Sequence, residues 1–247
     1  MKKITPVWFT LILIITGCIQ TKQITLYTIG DSTMANKTTE VYPEKGWGQL
    51  FQEYYDSGVI VRNRATNGRS TKSFMAEGRW KAVLDSLKKG DYVFIQFGHN
   101  DEKIDKPAVY TDPATTFREN LTKYIFDTRS KGATPVLLTP IVRRKFDETG
   151  KLTDTHGKYP DAVREVAALQ KVICIDMQVL TMNYINSLGD EASRKIYLWT
   201  TPDSKFPLGR KDDTHLSEEG ARVYAGMVAR EVAKMKIPLA RHIIRLE

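Results

Sequence analysis

Ser32 lies in Thr28-Ile29-Gly30-Asp31-Ser32-Thr33, and His215 lies in Asp212-Asp213-Thr214-His215, near the other end of the 247-residue chain. Serine is a weak nucleophile until a neighbouring base takes its proton and a third group orients that base. His215 is the candidate base, and Asp212, three residues earlier, is the candidate orienting carboxylate. A short Asp-x-x-His segment can fold back so that the carboxylate holds one imidazole nitrogen while the other faces the serine. Asp213 is adjacent, and chemistry alone leaves both aspartates open. Nucleophilic attack on a carbonyl also needs hydrogen-bond donors aimed at the oxyanion that forms. Three candidates are the backbone N–H of Ser32, the backbone N–H of Gly68, and the side-chain amide of Asn100 in Gly98-His99-Asn100-Asp101. Alone, Gly68 would be a plain turn glycine, Asn100 a turn-forming asparagine, and Asp-x-x-His a surface turn before a helix. Their combination with Ser32 is what points to one site.

These residues need a scaffold that gathers them. Short runs rich in Val, Ile and aromatics mark strands at Ile24–Ile29, Val59–Arg62, Tyr92–Phe97, Pro135–Thr139 and Val172–Ile175. Helical patterns lie between them at about Gly48–Asp56, Ser73–Lys88, Thr116–Ser130, Ala162–Gln170 and Met177–Leu188. A last helix is expected over Glu218–Met235, with Ser217 as its N-cap. Alternation of this kind predicts a parallel, doubly wound sheet, in which every strand-to-helix loop opens on the same side. Ser32, Gly68, Asn100 and Arg143 each follow a predicted strand, on the edge where such sheets bind ligands.

Gly30-Asp31-Ser32, Gly68, Gly98-His99-Asn100-Asp101 and Asp212-x-x-His215, in that order, resemble the four blocks of the SGNH (GDSL-like) hydrolases. The Gly-x-Ser-x-Gly elbow of the α/β-hydrolases is absent around Ser32. Longer stretches are similar to bacterial rhamnogalacturonan acetylesterases: Gly30-Asp31-Ser32-Thr33-Met34-Ala35, Gly46-Trp47-Gly48, Asn67 to Phe74, Gln96 to Asp101, and Thr155-His156-Gly157-x-Tyr159-Pro160. The resemblance implies a single three-layer α/β/α domain with a five-stranded parallel sheet, the flavodoxin-like SGNH hydrolase fold. It implies Ser32 as nucleophile, Asp212 and His215 as the rest of the triad, and Ser32, Gly68 and Asn100 as the oxyanion hole. It also implies no metal and no cofactor. The expected reaction is removal of O-acetyl groups from a pectic polysaccharide, rhamnogalacturonan in particular. Rivals on the same fold are a lipase, a thioesterase or a xylan-type acetylesterase; a rival of another class is a non-catalytic, surface-attached glycan-binding lipoprotein.

Candidates for substrate contact are Trp47, Arg69, Arg143 and His156. Arg143-Arg144-Lys145 and Arg210-Lys211 place cations beside the expected site, and guanidinium groups suit carboxylates through paired hydrogen bonds. Trp47, Trp80 and Trp199 could stack on sugar faces, although large aromatics also serve the core. His242, in a basic tail, is expected to be structural or solvent-exposed.

Composition fits one globular domain: 41% hydrophobic and 27% charged residues. The formal charge is +8, and without Lys2 and Lys3 the 37 basic residues fall to 35 against 29 acidic ones. This excess favours anionic partners, but the cations are scattered, which argues against nucleic acid. Met1-Lys2-Lys3 followed by the apolar run Ile4 to Gly17 and then Cys18 resembles a bacterial lipoprotein signal. The expected organisation is a signal peptide over 1–18 with Cys18 acylated, a linker at 19–23, the hydrolase domain at 24–238 and a tail at 239–247. That predicts an exported monomer held at the cell envelope by its lipid. Cys174 is the one other cysteine, so no intramolecular disulfide is expected in the mature chain.

Overall fold

The computed structural model describes residues 23–246; Cys18 and the signal-peptide stretch lie outside the described residues. In chain order, β1 (Ile24–Gly30) is followed by a two-residue strand β2 (Glu44–Lys45) and a single helical turn α1 (Trp47–Leu50). Next come β3 (Val59–Asn63), α2 (Thr71–Ala76), α3 (Arg79–Ser86), β4 (Tyr92–Gln96) and α4 (Thr116–Ser130). The chain continues through β5 (Thr134–Leu138), α5 (Tyr159–Gln170), β6 (Ile173–Ile175) and α6 (Met177–Ser193). It ends with β7 (Tyr197–Thr200), β8 (Arg210–Ser217) and α7 (Glu218–Lys234).

Five of the strands form one parallel sheet in the order β3-β1-β4-β5-β6. Alternating side chains split its core in two. Leu26, Phe94, Val136 and Ile175 pack with Trp47, Tyr224, Val228 and Val232 on one face. On the other, Tyr27, Ile29, Val93, Ile95 and Leu137 pack with Phe74, Trp80, Phe117, Tyr124 and Val166. The result is three layers, α/β/α. The strand order reverses between β1 and β4, and in open α/β sheets the crevice beyond such a switch point is the ligand-binding position. The loops carrying Ser32 and Asn100 leave those two strands.

Several features depart from the sequence expectation: the helix expected over about Gly48–Asp56 is only the turn α1 continued by a 3-10 stretch at Phe51–Tyr54. The helix expected over Ser73–Lys88 is divided into α2 and α3, because Gly78 takes a left-handed φ of +71° between them. A second, three-stranded antiparallel sheet, β2-β8-β7, is also present, and the Asp212–His215 segment is part of it. The expected tail folds back on the body: Leu239 is fully buried, Ile243 bridges to Tyr55, and His242 Nδ1 lies 2.9 Å from Asp56 Oδ1. Ser217 caps α7 as expected, its hydroxyl accepting from the Gly220 N–H at 3.0 Å.

Candidate active site

Just beyond β1 the chain turns sharply, with the amides of Met34 and Ala35 both donating to the Asp31 carbonyl. The Asp31 carboxylate fixes this turn from inside, accepting from the Thr33 N–H at 2.9 Å and the Thr33 hydroxyl at 2.8 Å. Ser32 is left partly exposed at the apex. Burial pushes the Asp31 carboxyl up, but His99 and the Thr33 donors outweigh it and hold the group at about 2.

The candidate base, His215, arrives on β8. Leu198 pairs with Asp212 and Tyr197 with Leu216, so Asp213, Thr214 and His215 bulge out of the ladder together. Asp212 Oδ1 secures the bulge by accepting from the Thr214 N–H at 2.8 Å and the His215 N–H at 2.9 Å. Its Oδ2 is 2.7 Å from His215 Nδ1, and His215 Nε2 is 2.9 Å from Ser32 Oγ. The carboxylate sets the tautomer: Nδ1 donates to Asp212, and Nε2 is left as acceptor for the serine proton. Burial raises the Asp212 carboxyl, yet His215 and the two amides bring it far below the usual carboxylate range. Asp213 faces elsewhere, its Oδ1 accepting from Arg144 at 2.7 Å and from Trp199 Nε1 at 2.8 Å. Of the two aspartates that chemistry left open, Asp212 is the one that touches the imidazole.

The oxyanion candidates lie on segments tied to this turn. Thr66 N–H donates to the Gly30 carbonyl at 3.0 Å, and Lys37 Nζ reaches Asn67 Oδ1 at 2.7 Å. Gly68 has φ +75°, and no atom lies within 4 Å of where a Cβ would stand, so its approach side is open. Among the described residues, no hydrogen bond takes up the N–H of Ser32 or of Gly68. Asn100 is buried and held at both ends, Nδ2 donating to the Arg69 carbonyl at 3.1 Å and Oδ1 accepting from Lys103 at 2.7 Å. The second hydrogen on Nδ2 stays available. Together these groups can deprotonate a serine and receive negative charge on a carbonyl oxygen.

Two of the expected substrate contacts are corrected by burial. Trp47 is fully buried, donating through Nε1 to Gln96 Oε1 at 2.8 Å and through its amide to the Thr33 carbonyl. It supports the serine turn from beneath and has no face for a sugar. His156 is buried too, with Nδ1 2.9 Å from Glu102 Oε2 and Nε2 2.8 Å from the Ile141 carbonyl. Arg143 pairs with the other oxygen of Glu102 and remains partly exposed. Arg69 is also partly exposed and pairs with Glu77 at 2.9 Å. Trp80 belongs to the core.

Two charged groupings were not foreseen. Glu44, on β2, accepts from Lys37 at 2.8 Å and Arg210 at 2.9 Å, joining the serine turn to β8. Lys37 stands singly in a polar loop, and Arg210 was read with Lys211 as cations beside the site, so no spacing signals Glu44 as their shared partner. The other grouping is the fully buried pair Asp31 and His99, with His99 Nδ1 3.4 Å from Asp31 Oδ2. His99 was visible only as a member of the Asn100 block.

Burial pushes the His99 imidazole down to about 4, against the opposing pull of Asp31. An unfolded histidine takes up a proton near pH 6.5, so stability is lost as pH falls from about 6.5 through about 4. Asp101, also fully buried, acts in the opposite sense. Burial raises it to about 7 in spite of donors from Thr71 and Thr111. The folded carboxyl keeps a proton that the unfolded chain releases near pH 4, so this group gains stability as pH falls from about 7 to about 4. Relative to the parent, His99→Gln is therefore expected to hold its Tm better on acidification, and Asp101→Asn to lose more. Calorimetry at several pH values checks this, and three parallel profiles would count against both assignments.

Residues 28–223 match the family described as GDSL-like Lipase/Acylhydrolase. The chain is 39% identical over 228 residues to the rhamnogalacturonan acetylesterase RhgT of Bacillus subtilis, covering 92% of this chain and 97% of that one. It is 34% identical over 220 residues to YesY of the same organism, named a probable rhamnogalacturonan acetylesterase, with 89% and 97% covered. The crystal structure of Bacillus subtilis YxiM superposes with a TM-score of 0.75 at 28% identity, over 88% of this chain. This chain spans 58% of that longer one. On the family match, which runs from the end of β1 into the start of α7, the chain belongs to the GDSL-like Lipase/Acylhydrolase family and is a carboxylic ester hydrolase.

Proposed function

We propose that the protein is a serine carbohydrate esterase that removes O-acetyl groups from a pectic polysaccharide, rhamnogalacturonan above all. The observation that carries the reading is the unbroken line from Ser32 Oγ through the His215 ring to Asp212, at 2.9 and 2.7 Å. The relatives named as rhamnogalacturonan acetylesterases support the substrate.

In this reading His215 Nε2 takes the Ser32 proton as Oγ attacks the acetyl carbonyl. The N–H groups of Ser32 and Gly68 and the free Nδ2 hydrogen of Asn100 receive the developing oxyanion. His215 then protonates the departing sugar hydroxyl, leaving an acetyl group on Ser32. Water, deprotonated by the same nitrogen, releases acetate. Asp212 keeps Nδ1 protonated throughout and stabilises the imidazolium. The basic start, apolar run and Cys18 support export and a lipid anchor as part of the same proposal.

The test is acetate release across acetylated rhamnogalacturonan, homogalacturonan, xylan and p-nitrophenyl acyl esters. Highest kcat/KM on acetylated rhamnogalacturonan is expected. A preference for xylan or for long acyl esters would overturn the pectic assignment while keeping the hydrolase.

A further inference from the structure

A cavity of about 470 Å³ borders the β8 bulge through Asp213, within the roughly 300–1,000 Å³ range of small-molecule sites. Its wall is built from the loop after β5, the end of α6, β7 and the β8 bulge. Asp213, one residue from Asp212, forms part of the lining, and its carbonyl accepts from the Arg144 N–H at 2.8 Å. The cavity is therefore fixed to the same bulge that carries the base.

Its lining is rich in cations. Arg143, Arg144, Lys145 and Arg194 line it with two carboxylates, Asp190 and Asp213, while Arg143 also pairs with Glu102 and Arg194 with Glu191. Lys211 stands nearby, its Nζ 5.9 Å from the Trp199 ring. Arg144 is occupied, pairing with both aspartates. Among the described residues, Lys145 and Lys211 form no ion pair, and both are exposed. Arg194 pairs with Glu191 and Asp190 through its terminal nitrogens, and its Nε is a buried donor with no partner. The Trp199 ring has the guanidinium carbons of Arg144 and Arg194 at 4.8 and 4.6 Å. Cation–π contact of this kind holds the two forks in place, so the indole positions charge here and does not serve as a bare sugar platform.

We propose that this cavity is a subsite for a carboxylate-bearing sugar, a hexuronate residue of the same polymer that carries the acetyl ester. The proposal rests on the esterase reading above and deepens it. Preorganised cations bind a carboxylate through charge-assisted hydrogen bonds, which a neutral sugar or an acyl chain cannot return. Lys145, Lys211 and Arg194 are the specificity-determining groups, and Arg144 frames them.

The experiment compares an acetylated, uronate-containing oligosaccharide with the same oligosaccharide after its carboxyl groups are methyl-esterified. p-Nitrophenyl acetate, which has no uronate, is the reference. The parent enzyme is expected to show a KM for the acidic form lower by about tenfold or more, the worth of one charged hydrogen bond. Raising the salt should erode that preference. In Lys145→Ala/Arg194→Ala the two KM values should converge, with the change confined to KM. Equal KM for both forms in the parent, or a variant that weakens both forms alike, would overturn the subsite. Failure of the esterase reading looks different: no acetate leaves either oligosaccharide, whatever its charge.

Discussion

Ser32→Ala is expected to lower kcat for acetate release by roughly a million-fold, the size of effect seen when a serine acting as a unit with its histidine is removed. The Ser32 hydroxyl meets one partner, His215 Nε2, and sits partly exposed on a turn held by Asp31 and by backbone bonds. Losing it removes the nucleophile and leaves the turn intact. Thermal unfolding should stay within about 0.5 kcal/mol of the parent, as for surface substitutions in general. Paired assays of acetate release and Tm check this. Turnover surviving within about tenfold of the parent would remove Ser32 from the reaction.

Asp212→Asn is the next largest effect, an expected loss of about 10⁴ in kcat with little change in shape. An amide in that position can present N–H to Nδ1, which favours the tautomer with its proton on Nε2, where it cannot accept from Ser32. Asp213→Asn supplies the contrast. That carboxylate serves Arg144 and Trp199, away from the imidazole. Its loss is expected to cost stability, about 1–3 kcal/mol for a charged hydrogen bond to the buried Arg144, while kcat stays within about tenfold. Steady-state kinetics and chemical denaturation on the two variants separate the roles. A larger kcat loss at Asp213 than at Asp212 would reverse them.

The parallel sheet was legible in the chain because its strands are short apolar runs ending in turn residues. Val59–Arg62 and Tyr92–Phe97 differ from the observed β3 and β4 by a single terminal residue. The helix over Thr116–Ser130 matches to the residue because its apolar positions keep helical spacing. The antiparallel sheet was hidden for the opposite reason. β8 reads Arg-Lys-Asp-Asp-Thr-His-Leu-Ser, and only Leu216 is buried, so no alternation marks it as a strand. The residue types of the site were legible, but the way the site is assembled was not. Asp-x-x-His folds back through a three-residue bulge whose shape depends on pairing with β7. Trp47 misled because an aromatic beside the serine turn suggests a face for a sugar, and His156 because a loop histidine suggests a substrate contact, whereas Gln96 and Glu102 supply internal partners that a linear chain does not display.

Ser32 and His215 meet although they lie 183 positions apart, and the strand that carries the histidine enters a different sheet from the one that leads to the serine. A growing polypeptide released from the ribosome tunnel only as far as β7 already has its nucleophile and the full parallel sheet. It still lacks the proton acceptor. On the proposed mechanism, a copy stalled, or clipped by a protease, ahead of 210–217 is expected to be inert toward esters. By that same mechanism, chemical competence waits on β8, after the parallel sheet has been made.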